Sequence, residues 1–136
     1  MSLSRLSHRL CTALCGAFLA GLVGCASGPD FQTLDARVVF DTPPTLSPAA
    51  TLEVALKDSA DDTTLAESRY PRIDTEATEV ALRYDASAID AAHRYTLQAE
   101  VRDQGRITYL NRDAVEVLNG DTGTTPTITL VPASRR

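Results

Sequence analysis

The chain has 136 residues, with 13 Lys and Arg against 18 Asp and Glu, and a formal net charge of −5 at pH 7. This length suits one domain with one hydrophobic core. The acidic balance disfavours the basic surface that phosphate backbones require, so nucleic acid is not an expected partner.

The N-terminal segment combines a positive end with an apolar stretch. Arg5 and Arg9 precede residues 10–23, which are almost entirely apolar. This stretch is shorter than the ~20 apolar residues that a membrane-spanning helix needs, and it has the length of a signal-peptide core. We therefore predict that residues 1–24 are a removable signal peptide.

The signal ends in the sequence Leu22-Val23-Gly24-Cys25, which resembles the lipobox of bacterial lipoproteins. The resemblance implies cleavage between Gly24 and Cys25, a diacylglyceryl group on the Cys25 thiol and an acyl chain on its amine. Two or more acyl chains hold a protein stably at a bilayer. The lipid bilayer is therefore an expected partner, through covalent acyl chains. A plain secretory signal and a buried N-terminal helix are the alternatives.

Cysteine placement agrees with a lipid anchor. Cys11 and Cys15 lie inside the predicted signal peptide, so the mature form keeps Cys25 alone. A disulfide, a thiol nucleophile and a thiolate metal site are therefore not expected. Removal of residues 1–24 also removes basic residues, and the resulting acidic domain gains nothing from anionic head groups.

Residues 25–33 are predicted to be the lipidated N-terminus and a flexible tether, because Ser27, Gly28, Pro29 and Asp30 disfavour packing. The residue after Cys25 is not Asp, which resembles lipoproteins that are sorted to the outer membrane. The implied location is the outer membrane, facing the periplasm.

The rest of the domain, residues 34–131, alternates apolar and polar residues in short runs, which is the period of a half-buried strand. Asp103-Gln104-Gly105 predicts a tight three-residue hairpin loop, and residues 87–92 allow one short helical turn. The pattern predicts an all-β fold, an antiparallel Ig-like β-sandwich of about seven to eight short strands, with a small barrel as the alternative and residues 132–136 as a tail. The predicted strands are 34–40, 52–57, 64–70, 79–84, 95–102, 107–110, 114–118 and 127–131.

Three of these segments carry a resemblance to a known family. They are Leu52–Asp61, Tyr84–Asp85 and Tyr95–Val101, with Gly105 after the last. Their order and spacing resemble the YbaY/YscW family of small bacterial lipoproteins. The family has a β-sandwich domain and includes pilotins that guide type III secretion secretins to the outer membrane. The resemblance implies a pilotin-like domain whose partner is an envelope protein such as a secretin.

The carboxylates of Asp58, Asp61 and Asp62 form the candidate polar site of the domain. Asp side chains accept hydrogen bonds from backbone amides just downstream, so the favoured interpretation is a turn that ends a strand. The alternative is a site for a hard cation such as Ca²⁺, which takes about 6–8 oxygen ligands. No Gly and no distal Glu stand at calcium-loop spacing. No metal or cofactor is predicted.

No catalytic motif is evident, and we predict that the protein is not an enzyme. His93 is the only histidine of the mature form and is interpreted as a loop residue before a strand. The four tyrosines could form a sugar-stacking platform, but core packing with the hydroxyl at the rim is favoured because three of them share the strand phase of Leu and Val. They are Tyr70, Tyr84, Tyr95 and Tyr109.

The sequence leaves two functions open. The first is an envelope adaptor or pilotin-like chaperone, in which the domain binds a protein partner by strand addition or by holding a helix in a groove. The alternative is a periplasmic lipoprotein that binds a small ligand or a polysaccharide.

Overall fold

The structure, a computed structural model, describes residues 28–120 and 123–133. The predicted signal peptide of residues 1–24 and the lipidation and cleavage site at Gly24 and Cys25 lie outside the described residues, and they stay predictions. In the part of the chain that is described, no helix has the length and apolarity to cross a membrane.

The described residues form eight strands and one 3₁₀ turn, so the all-β prediction is confirmed. The 3₁₀ turn, Ala86–Ala88, falls where a short helical turn was expected. The strands are β1 (Phe31–Phe40), β2 (Thr51–Asp58), β3 (Thr64–Tyr70), β4 (Thr78–Asp85), β5 (Tyr95–Asp103), β6 (Arg106–Leu110), β7 (Val115–Val117) and β8 (Thr127–Pro132).

The strands make one continuous sheet in the order β3-β2-β5-β6-β8-β1-β4, with β7 paired to β5 beside β6. Every pairing is antiparallel except β1 with β8, which run parallel over Arg37–Phe40 and Thr127–Leu130. Side-chain hydrogen bonds connect the two end strands, β3 and β4. The sheet is therefore nearly closed, like a barrel, and the antiparallel Ig-like description holds only roughly.

The core lies inside this nearly closed sheet and follows the alternation of the sequence. On β2, Leu52, Val54 and Leu56 are fully buried, while the residues between them face outward. Full burial of one such side chain contributes about 1.5–3 kcal/mol. The neighbouring strands complete the core with Ala36, Val38, Val80, Leu82, Leu97, Ala99, Val101, Ile128 and Leu130.

β1 begins earlier than the alternation predicted. Its first residues, from Phe31 to Thr33, pair with the end of β4, from Asp85 back to Arg83. Their side chains are exposed, so no apolar alternation marks this part of the strand. The ordered strand therefore extends into residues 25–33, which were predicted as a tether.

The β5–β6 hairpin is tighter than predicted. Asp103 pairs with Arg106, so it belongs to β5 and the loop has only two residues, Gln104 and Gly105. Both have positive φ, 52° and 78°. Positive φ at both positions is the geometry of the two-residue turns that match the twist of a hairpin.

Asn111 lies between β6 and β7. At this point β5 still pairs with β2 on one side but has no paired strand on the other. The Ala99 N–H donates to Asn111 Oδ1 at 2.7 Å, and Asn111 Nδ2 donates to the carbonyl oxygens of Leu97 at 3.2 Å and Asp113 at 2.9 Å. The Asn111 N–H donates to the Ala99 carbonyl oxygen at 3.1 Å. One side chain therefore replaces the missing strand for β5.

Asn111→Ala should lower the free energy of unfolding by about 1–3 kcal/mol, because it leaves the Ala99 N–H and the Leu97 carbonyl without partners. Urea denaturation followed by circular dichroism measures the change. Gln98→Ala, an exposed substitution on the same strand, is the control and should change stability by less than about 0.5 kcal/mol. Equal effects of the two substitutions would contradict the bridging role.

Candidate functional site

The acidic turn after β2 is stabilised by its own backbone. Asp58 Oδ1 accepts a hydrogen bond from the Ala60 N–H at 2.8 Å, and Asp61 Oδ1 accepts one from the Thr63 N–H at 3.0 Å. The prediction that these carboxylates turn the chain at the end of a strand is confirmed.

The three carboxylates of this turn do not converge. Asp62 Oδ1 lies 2.7 Å from Lys57 Nζ, so it pairs back onto β2. Asp58 and Asp61 serve the backbone amides described above. Across the described residues there is no group of three or more His, Cys, Asp or Glu side chains that could hold a metal ion. The geometry gives the Ca²⁺ alternative no support.

His93 is a loop residue, as predicted, but it also has a partner that the sequence did not reveal. Its Nδ1 lies 2.6 Å from Oδ2 of Asp58, whose side chain is only 11% exposed. The Ala60 amide and then His93 hold the pKa of Asp58 below its ordinary value. In turn, the hydrogen bond to Asp58 raises the pKa of His93, against an opposing effect of burial.

A chain of ion pairs crosses the outer face of β3, β2 and β5. Arg69 lies 3.2 Å from Glu53 and 3.1 Å from Glu67. Arg102 lies 3.2 Å from the other Glu53 oxygen and 2.6 Å from Glu100. Each guanidinium thus bridges two carboxylates, and Glu53 is shared by both.

This charged face surrounds a shallow depression of about 540 Å³, with Ala55 among its lining residues. All of the other lining residues are charged or polar, and every charged one is already in an ion pair. The surface therefore lacks the apolar lining that a hydrophobic anchor of a partner would need.

A second site lies where β3 and β4 approach each other. The Tyr70 hydroxyl accepts a hydrogen bond from the Ala81 N–H at 2.8 Å and donates one to the Ala81 carbonyl at 3.0 Å. Ser68 Oγ donates to the same carbonyl at 3.1 Å. Within the described residues, no backbone ladder joins these two strands. We call this junction of β3 and β4 at Ser68, Tyr70 and Ala81 the seam.

The seam borders a depression of about 420 Å³ on the outer face of β1 and β4. It is open to solvent, and two carboxylates stand at its rim. Its lining residues are Asp35, Tyr70, Glu79, Val80, Ala81 and Thr125.

The other tyrosines pack as predicted, with their hydroxyl groups at the rim. Tyr84 and Tyr95 are buried. The Tyr95 hydroxyl accepts from the Asp90 N–H at 2.7 Å, and the Tyr109 hydroxyl accepts from the Thr45 N–H at 3.0 Å. These rings serve the fold, and they do not form an exposed platform for sugars.

The residues just before β1 are held against the end of β4 by a hydrogen bond to Asp85. The Asp85 carboxylate accepts from the Ser87 hydroxyl and amide, at 2.6 and 2.9 Å, and from the Asp30 amide at 3.0 Å. The two hydrogen bonds from Ser87 contribute most to holding the pKa of Asp85 below its ordinary value. Phe31, which is 53% exposed, packs against the Arg83 guanidinium, 4.3 Å from the ring centroid.

Comparison with known proteins identifies a family and a related fold. The model of the type III secretion system lipoprotein chaperone family, YscW, matches residues 29–130. Among solved structures, an alternative pilotin from the type II secretion system of Vibrio cholerae superimposes with a TM-score of 0.64 and 21% sequence identity, over 76% of this chain and 100% of that one. At this identity the likeness shows the fold alone. No curated protein matches the sequence.

The Asp58–His93 pair predicts a stability that depends on pH. Because the pKa of His93 is raised, its contribution is present below about pH 6.5 and is lost as the pH rises through the folded-state pKa. Because the pKa of Asp58 is lowered, its contribution is lost when the pH falls below about 3.9. His93→Gln should therefore lower the melting temperature most between about pH 4 and 6.5, and thermal denaturation across pH measures this.

Proton NMR of a chain that begins at residue 25 provides a second readout, since His93 is the only imidazole of residues 25–136. Asp58→Asn should move the His93 titration midpoint downward, toward about 6.5. Asp61→Asn is the matched control, because Asp61 acts on His93 only through a weaker, longer-range charge interaction. An unchanged midpoint in Asp58→Asn would contradict the pairing.

Proposed function

We propose that the β domain of this chain is a lipid-anchored, pilotin-like chaperone for an envelope protein. The reason is that the chain belongs to the YscW family of type III secretion system lipoprotein chaperones. The observation that carries the proposal is the extent of the family match. Residues 29–130 include seven complete strands and all but the last two residues of β8. The family is one of chaperones and is not an enzyme class.

The anchor in this proposal is Cys25, with cleavage between Gly24 and Cys25. Phe31, where the first strand begins, is six positions after Cys25. At ~3.3–3.6 Å per residue, this segment spans at most about 20 Å. The Asp30–Asp85 hydrogen bond fixes its domain end. The domain would therefore stay close to the inner surface of the outer membrane, facing the periplasm.

The partner in this proposal is a protein such as a secretin, which the chaperone accompanies to the outer membrane. The domain would act by binding and positioning this partner and would catalyse no reaction. The alternative of a small ligand or polysaccharide lacks a supporting observation, because both depressions are open and the rim tyrosines are engaged with the backbone.

Cys25→Ser tests the anchor and the partner together. The native protein should gain the mass of a diacylglyceryl group and an acyl chain, should fractionate with outer membranes, and should bring the secretin of the same cell into that fraction. The Cys25→Ser variant should lose all three properties, because no acyl chain can be attached. Intact mass spectrometry and sucrose-gradient fractionation with immunoblotting provide the measurements.

Cys15→Ser is the matched control, because residue 15 lies in the predicted signal peptide and should be absent from the mature form. It should behave as wild type. If Cys25→Ser also fractionates with outer membranes, the anchor is refuted. If the anchor is present but the secretin distribution does not depend on this protein, the partner assignment is refuted.

A further inference from the structure

Two large apolar side chains of the described residues are exposed, and they lie at opposite ends of the nearly closed sheet. Phe31, 53% exposed, is the first residue of β1 and pairs with Asp85 at the end of β4. Residues 86–94 connect this end of β4 to the start of β5 through short turns. Ile107, 39% exposed, pairs with Arg102 at the other end of β5. A domain held at a membrane by one end would therefore place these two side chains in different surroundings.

Phe31 lies at the end that the proposed lipid anchor holds. It is six positions after Cys25, so the segment between them spans at most about 20 Å. The Asp30 N–H donates to the Asp85 carboxylate, and the Asp30 carbonyl oxygen accepts from the Ala86 N–H at 2.7 Å. The chain is therefore fixed to the domain directly before Phe31. A short tether makes even a weak contact with the bilayer effective, because that contact becomes intramolecular.

Arg83 provides a cation on the same surface as Phe31. Its guanidinium lies 4.3 Å from the centroid of the Phe31 ring, and its side chain is exposed. In the described part of the chain this guanidinium contacts the ring and forms an ion pair with no carboxylate, whereas other arginines of the domain do. Those arginines are Arg37, Arg69, Arg94 and Arg102. A guanidinium binds a phosphate through two parallel hydrogen bonds, and aromatic side chains favour the head-group region of a bilayer.

The carboxylates near this surface determine which lipid suits it. Asp85 accepts hydrogen bonds from Ser87 and from the Asp30 amide, and these hold its pKa below its ordinary value, so it is charged. Asp35 is exposed on the same face of β1 as Phe31. Both charges repel anionic head groups, as does the acidic balance of the chain. A zwitterionic phospholipid instead offers a phosphate for Arg83 and an ammonium group for the carboxylates.

We infer that Phe31 and Arg83 form a membrane-contact site, with the Phe31 ring in the head-group region of a zwitterionic phospholipid bilayer and the Arg83 guanidinium on a lipid phosphate. The inference rests on the proposed function, because lipidation of Cys25 brings this end of the domain to the membrane. The contact sets the orientation of the domain. The end that carries Phe31 faces the bilayer, and the β5–β6 hairpin, with Ile107, points away from it.

Tryptophan fluorescence tests the inference, because the chain contains no tryptophan and one substitution adds a single reporter. Phe31→Trp places the reporter at the proposed contact, and Ile107→Trp, the matched control, places it at the far end. Each full-length variant is expressed, purified in its processed form and inserted into phosphatidylcholine vesicles with or without bromine on the acyl chains. We expect the emission of Phe31→Trp to shift to shorter wavelength and to be quenched by the brominated lipid. The emission of Ile107→Trp should show neither change.

A second substitution in the Phe31→Trp protein isolates the role of the cation. Arg83→Gln keeps a long polar side chain but removes the charge that binds phosphate, so quenching by the brominated lipid should decrease. Arg106→Gln removes the same charge from an exposed residue of the far end and should leave quenching unchanged. Circular dichroism verifies that each variant is folded.

Intact mass, measured before the fluorescence, separates this inference from the proposed function. An unmodified Cys25 would refute the anchor and, with it, the membrane contact. A lipidated protein in which the emission of Phe31→Trp neither shifts nor is quenched would refute the contact alone. Equal quenching of Phe31→Trp and Ile107→Trp would also overturn the inference, and so would equal effects of Arg83→Gln and Arg106→Gln.

Discussion

The pairing of β2 with β5 is the constraint on which the rest of the molecule depends. All eight residues of β2, from Thr51 to Asp58, pair in one uninterrupted antiparallel register. This register directs Leu52, Val54 and Leu56 into the core and the residues between them to the outer face. A shift of one residue would bury Glu53 and Lys57 and expose the leucines. It would also separate the ion pairs on that face, since these depend on Glu53 lying beside Arg69 and Arg102.

Side chains replace the backbone at the places where this sheet has no further strand. Asn111 completes β5 between β6 and β7, Asp85 holds the entering chain, and Tyr70 covers the edge of β4. Ala99 is fully buried, and a buried amide without a partner costs about 1–3 kcal/mol, so the Asn111 side chain matters to stability. Asn111 and Tyr70 are both half-buried, and Tyr70 also lines an open depression.

The sequence predicted the positions of the strands, which are local features. It did not predict contacts between segments that are distant in the chain. Period-two alternation is a property of neighbouring residues, so each of the eight strands was predicted close to its observed bounds. Phe31 begins β1 with exposed side chains, and no apolar pattern marks it. Asp58 meets His93 across 35 positions, and Tyr70 meets Ala81 across 11. Neither spacing has a motif, because both contacts arise from how separate strands and loops meet in the folded sheet.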